Sequence, residues 1–146
     1  MPLGEQQRGE IAADRTEIAA AVHKTSELIA GLDHGFVFTN LIETDQVYGH
    51  RHDFDGFAGA LRRIDERVAR WLELLGDDDL LVLTADHGCD PTTPGTDHTR
   101  EHAPLLARFD GHGHRRHDGP FADVGASVLR WLTGGVAEAL PGTAFV

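Results

Sequence analysis

Residues 80–88 read Leu80-Leu81-Val82-Leu83-Thr84-Ala85-Asp86-His87-Gly88, six uncharged residues followed by an acid, an imidazole and a glycine. A short apolar run behind an acidic turn, here Gly76-Asp77-Asp78-Asp79, has the character of a buried strand. Upstream, Phe36-Val37-Phe38-Thr39-Asn40-Leu41-Ile42 has the same character and runs into Glu43-Thr44-Asp45. Between the two, Phe54, Phe57, Leu61, Ile64, Val68, Trp71 and Leu75 step by three or four, which predicts a long helix with one apolar stripe. Strand, helix, strand, with polar residues directly after each strand, predicts an α/β fold: a layered sheet with flanking helices. Sites in such sheets form beyond the carboxyl ends of strands, so adjacent parallel strands would bring Asp45 and Asp86 to one rim.

Working outward, residues 1–10 form a polar tail, and 11–146 are expected to form a single domain, since 146 residues suffice for one ordinary core. Ile11, Ile18, Val22 and Ile29 fall near helical spacing, with Gly31 placed to end that helix. Residues 86–100 are dense in Asp, Thr, Pro, Gly and His, a structured loop of the kind that carries function. Residues 103–109 predict a third strand, followed by the His-rich loop Gly111-His112-Gly113-His114-Arg115-Arg116-His117. A last helix is expected to start near Asp123, bury Val124, Val128, Trp131 and Leu132, and stop at Gly134-Gly135. Trp71 and Trp131 read as core residues.

Asp and Glu number 24 against 13 Lys and Arg, a formal charge of −11, so the surface repels polyanions and nucleic acid is excluded as a first reading. Cys89 is the single cysteine, which rules out an intrachain disulfide and a cysteine-based zinc site and fits a reducing cytoplasm. Neither an export signal nor a membrane-spanning run is present, and neither Gly-x-Gly-x-x-Gly nor a P-loop occurs.

The chemistry concentrates behind the two predicted strands. His50 lies five residues after Asp45, His87 adjoins Asp86, and His98 follows at the end of the 91–97 loop. Carboxylate with imidazole is a ligand set for divalent metals. Asp45, His50, Asp86, His87 and His98 exceed what one catalytic ion takes while keeping an open position, so two ions are expected. Such a pair suits phosphoryl or sulfuryl transfer, by hydrolysis or mutase chemistry. Asp97 and Arg100 flank His98 and are candidates to orient the ligand imidazoles. Cys89 lacks a specified partner base and reads as packed rather than nucleophilic.

Asn40-Leu41-Ile42-Glu43-Thr44-Asp45-Gln46-Val47-Tyr48-Gly49-His50-Arg51 resembles the metal motif of the phosphopentomutases. Thr84-Ala85-Asp86-His87-Gly88-Cys89-Asp90-Pro91-Thr92-Thr93-Pro94-Gly95-Thr96-Asp97-His98-Thr99-Arg100-Glu101 resembles that family's second signature. Asp-His-Gly alone is shared across the alkaline-phosphatase-like superfamily, whereas the loop through Glu101 points to phosphopentomutase within it. The similarity runs from about Phe36 to the end and includes Ala122-Asp123-Val124-Gly125-Ala126. The resemblance implies that Asp45, His50 and His98 hold one manganese ion and that Asp86 and His87 help hold another. It implies an isomerase that interconverts (deoxy)ribose 1-phosphate and 5-phosphate through a phosphothreonine and a bisphosphate intermediate.

Phosphopentomutases are much longer, with an Asp ligand and the Thr nucleophile upstream of a cap domain, and nothing before Phe36 resembles those parts. None of Thr39, Thr84, Thr92, Thr93, Thr96 or Thr99 stands in the nucleophile position, and His52 departs from the family pattern after Gly-His-Arg. The expectation is a carboxyl-terminal portion of a phosphopentomutase: a partial alkaline-phosphatase-like core without a cap domain, inactive alone, in the cytoplasm. Its partners would be a pentose phosphate and a complementing chain or a homo-oligomer, with no nucleic acid or membrane. The alternatives are a degenerate metal-binding domain or a metal-dependent phosphoesterase that activates water.

Overall fold

The computed structural model describes residues 18–109, 115–135 and 140–146. The chain falls into two compact units, one built from Met1–Leu75 with Cys89–Thr99, the other from Gly76–Gly88 with Arg100–Val146.

In the first unit, helix α1 covers Ile18–Gly31 and buries Ile18, Val22 and Thr25; Ile11 lies outside the described residues. Helix α2 covers Phe54–Leu74. Its start is fixed by Asp53, whose carboxylate accepts the Gly56 N–H at 2.8 Å, a cap of the sort that contributes about 1 kcal/mol. The predicted stripe packs unevenly. Trp71 is buried and donates its indole N–H to Ser26 Oγ on α1 at 2.9 Å, and Ala60 is completely covered, while Phe54 and Leu61 stay exposed.

Residues 36–41 do not form the predicted strand. β-Forming side chains favour extended backbone, but a strand also needs a ladder partner, and that is non-local information. Between α1 and α2 the chain also makes one turn of π-helix, Thr44–Gly49.

The second unit carries a two-stranded sheet. Strand β1, Leu81–Thr84, pairs with β2, Leu105–Arg108, in the register Leu81 opposite Arg108 and Thr84 opposite Leu105. Both strands lie where the sequence places them and pair antiparallel; the parallel neighbour expected for residues 80–85 was the segment 36–42, which forms no strand. Parallel pairing needs a crossover, usually helical, and residues 85–104 contain no helix. The acidic turn before β1 closes on itself, Gly76 N–H to Asp79 Oδ2 at 2.7 Å, and Arg108 reaches back to Asp77 at 3.8 Å.

Helix α3, Ala122–Thr133, ends at Gly134, whose φ of 61° is a left-handed conformation that suits glycine. Its buried face is Asp123, Ala126 and Ser127; the predicted Val124, Val128 and Trp131 are half-buried and Leu132 is exposed. Polar anchoring explains the rotation, because the C-terminal segment is hydrogen-bonded onto that face. The Thr143 N–H donates to Asp123 Oδ1 at 2.7 Å, and the Phe145 N–H donates to Ser127 Oγ at 2.9 Å. Trp131 packs edge-on against Phe109, with ring centroids 6.1 Å apart. Helices with a small antiparallel sheet thus make up the described fold. None of the helices among the described residues is long and apolar enough to cross a membrane.

Candidate metal centre

Asp45 and His50 are brought together by the backbone of the π-turn. In an α-helix, residues five apart diverge by about 140° around the axis. A π-helix instead bonds residue i to i+5, and here the His50 N–H donates to the Asp45 carbonyl at 3.0 Å. The two side chains consequently rise from the same side of the turn, and His50 Nε2 stands 3.3 Å from Asp45 Oδ2.

His98 comes from the far end of the loop Cys89–Thr99 and must be delivered from outside that turn. Two contacts place the loop. The Asp90 N–H donates to Thr99 Oγ1 at 2.8 Å and closes its base. His52 Nδ1 lies 3.2 Å from the Pro91 carbonyl, to which it donates, and pins the loop to the turn before α2. Within the loop, Asp90 accepts the Thr92 hydroxyl, the Thr92 N–H and the Thr93 hydroxyl, which together hold its carboxyl below the usual carboxylate range.

Gly49 makes the close approach possible. A Cβ there would lie 2.5 Å from Cys89 Sγ and 3.1 Å from the Thr44 carbonyl, so only glycine lets the loop seat against the π-turn. The result is a small pocket whose wall includes Asp45, Gly49, His50, Cys89, Asp97 and His98. His98 Nε2 is 4.0 Å from Asp45 Oδ1, and the two imidazoles stack at 5.5 Å.

One ligand atom each from Asp45, His50 and His98 lies within 4.8 Å of the other two, the spacing a single ion needs. Asp45 Oδ1 supports that reading independently: it is buried and makes no hydrogen bond among the described residues. A buried carboxylate oxygen without a donor is costly unless a cation compensates it. One carboxylate and two imidazoles suit a divalent first-row metal, so the residues present fit the group.

Asp86 and His87 lie in the second unit, directly after β1, as the sequence places them. Their side chains adjoin each other, His87 Nε2 to Asp86 Oδ1 at 3.5 Å. His87 Nδ1 lies 3.0 Å from the Gly88 carbonyl, to which it donates. Asp97 and Arg100 are both exposed, Asp97 in the pocket wall and Arg100 in the second unit.

His52, which the sequence marks only as a departure after Gly-His-Arg, helps to seat the loop. Its φ of 57° is unusual outside glycine, and nothing local in the sequence signals either that conformation or its bond to Pro91. In the His-rich run, His112 and His114 lie outside the described residues. His117 is described in the second unit, donating Nε2–H to Asp123 Oδ2 at 2.8 Å.

Residues 7–133 match the family model of the metalloenzyme superfamily. Among curated proteins, the chain is 45% identical over 130 residues to a phosphopentomutase of Anaeromyxobacter dehalogenans strain 2CP-1, covering 82% of this chain and 34% of that relative. It is 49% identical over 107 residues to one from Caldanaerobacter subterraneus subsp. tengcongensis, covering 71% and 27%. A third, from Aliivibrio salmonicida, is 46% identical over 124 residues, covering 80% and 30%. The chain therefore spans about a third of the length of the curated relatives it matches. With its acid and two imidazoles gathered inside the matched span, the chain belongs to the metalloenzyme superfamily, and its similarity within it is to the phosphopentomutases.

Proposed function

We propose that these residues are the metal-binding, carboxyl-terminal portion of a phosphopentomutase, which in complete form interconverts (deoxy)ribose 1-phosphate and 5-phosphate in the cytoplasm. The observation that carries the reading is the convergence of Asp45, His50 and His98 ligand atoms within 4.8 Å, around a buried carboxylate oxygen that accepts no hydrogen bond among the described residues.

Manganese is the metal we assign, in keeping with mixed oxygen and nitrogen ligands. When bound, such ions supply Lewis acidity toward phosphoryl oxygens. Asp45 would contribute the negative charge of the first set, and His50 and His98 would contribute its nitrogen donors. Asp86 and His87 Nε2 are the proposed donors to a second ion. The contact of His87 Nδ1 with the Gly88 carbonyl orients the ring. Asp97 and Arg100 are proposed to orient ligand imidazoles.

Asp45, His50, Asp86, His87 and His98 hold and polarise; they do not supply the threonine nucleophile or the further Asp ligand that the phosphopentomutase reading requires. A polypeptide of these 146 residues alone is therefore proposed to bind metal without turning over the sugar phosphate. The substrate class is a pentose phosphate, reached only when the remainder of the site is present, either in a complementing chain or through homo-oligomerisation. Nucleic acid and membrane are not proposed partners.

Metal content tests the site directly. Manganese bound per chain should fall at least tenfold in affinity in Asp45→Ala and His98→Ala, and unchanged binding in both would overturn the ligand assignment. Turnover of ribose 1-phosphate by the isolated chain with manganese would overturn the proposed inactivity. Release of free phosphate would instead indicate a metal-dependent phosphoesterase.

A further inference from the structure

The loop that delivers His98 is shaped by polar bonds rather than by burial. Pro91 is buried and held by His52, but residues 92–98 are exposed without interruption. Exposed side chains remove little apolar area from water, so burial does little to choose one course for this stretch. Fixing that course costs backbone entropy at every residue, and hydrogen bonds must offset it. Those bonds gather on Asp90, half-buried at the start of the loop. Its carbonyl accepts the Thr93 N–H at 3.1 Å, which turns the chain. Its Oδ1 accepts the Thr92 N–H at 2.9 Å and the Thr92 hydroxyl at 2.7 Å, and its Oδ2 accepts the Thr93 hydroxyl at 3.0 Å. Its own N–H ends on Oγ1 of Thr99, the residue that follows His98. One residue thus sets both the outward bend of the loop and its return.

We propose that Asp90 is a positioning residue for the metal centre: its carboxylate presets the loop so that His98 stands beside Asp45 and His50 before an ion arrives. This rests on the metal reading above and gives a task to a residue outside the ligand set. An ion that meets a preset loop does not have to order the exposed stretch, and the ordering cost avoided appears as affinity. The task is one of geometry rather than charge. Asp90→Asn keeps an oxygen for the Thr92 N–H and hydroxyl, and the Thr93 hydroxyl can rotate to accept from the amide. Asp90→Ala loses every side-chain bond of this residue while leaving its N–H on Thr99.

The test is manganese titration combined with amide hydrogen exchange on the 146-residue chain. Asp90→Ala should bind manganese about tenfold more weakly than the parent, the loss usual for a group one step removed from a ligand. In EDTA, the Thr92 and Thr93 amides should exchange about tenfold faster in Asp90→Ala than in the parent, and saturating manganese should restore their protection. Helices α1 and α2 should keep parent exchange rates, which a residue that merely stabilises the fold would not allow. Asp90→Asn should match the parent in both measurements. If Asp90→Ala does not fold, Thr99→Val, which removes the acceptor of the Asp90 N–H, takes its place with the same expected loss, and Thr99→Ser should restore binding. Parent-like affinity in Asp90→Ala, equal weakness in Asp90→Asn, faster exchange spread over α1 and α2, or parent loop amides that are protected only once manganese is added would each overturn the proposal and leave the ligand assignment standing. A parent chain that takes up no manganese would overturn the ligand assignment and this proposal with it.

Discussion

Gly49 is the residue on which the geometry of the ligand cluster turns, because it separates the π-turn from the loop that delivers His98. Gly49→Ala forces a methyl group against Cys89 Sγ and the Thr44 carbonyl. The sulfur can swing aside, but the carbonyl belongs to the turn itself. The expected loss is about 1–3 kcal/mol of stability, typical of overpacking, together with weaker manganese binding. Thermal melts and a manganese titration of Gly49→Ala and of Gly49→Ala/Cys89→Ala check this. Partial recovery in the double variant is expected, and a parent-like single variant would show that the approach is not needed. At this scale the sequence was informative: Asp45, His50 and His98 could be picked out because residue type and spacing carry the chemistry. His52 could not, since its role depends on a backbone conformation and on a carbonyl across the loop.

Among the elements, α3 shows how polar groups redirect a helix away from its apolar pattern. Asp123 is held below the ordinary carboxylate range first by the Thr143 N–H and then by His117, with burial opposing both. The sign follows: a depressed folded value favours the ionised form in the folded chain. This contribution is present above the unfolded value, about 4, and is lost as pH falls through the lower folded one. Asp123→Asn should melt below the parent at pH 7, and its melting temperature should fall less steeply as pH drops below about 4. Parallel curves for the two proteins across that range would remove Asp123 as the titrating anchor. Two strands, Leu81–Thr84 and Leu105–Arg108, were legible from their apolar runs, as was α2 from its spacing. Their pairing was not, because register and direction depend on which segments meet. Residues 36–42 look like a strand for the same local reasons and have no ladder partner among the described residues.

For the molecule as a whole, metal binding and stability are linked. A cation that binds the folded chain alone stabilises it by about 2.7 kcal/mol at one hundred times its Kd. In a chain of this size that is on the order of 10 °C in melting temperature. Chelation by EDTA should lower the melting temperature accordingly, and His98→Ala should show little further response to chelator. An unchanged parent melt in EDTA would mean that no ion contributes to the fold. The two tryptophans are divided between the compact units, Trp71 sealed between α1 and α2 and Trp131 set edge-on against Phe109. Each half thus has its own intrinsic fluorophore. With Trp71→Phe or Trp131→Phe, emission reports the unfolding of one unit at a time, so the two melting curves become readable separately without any added dye.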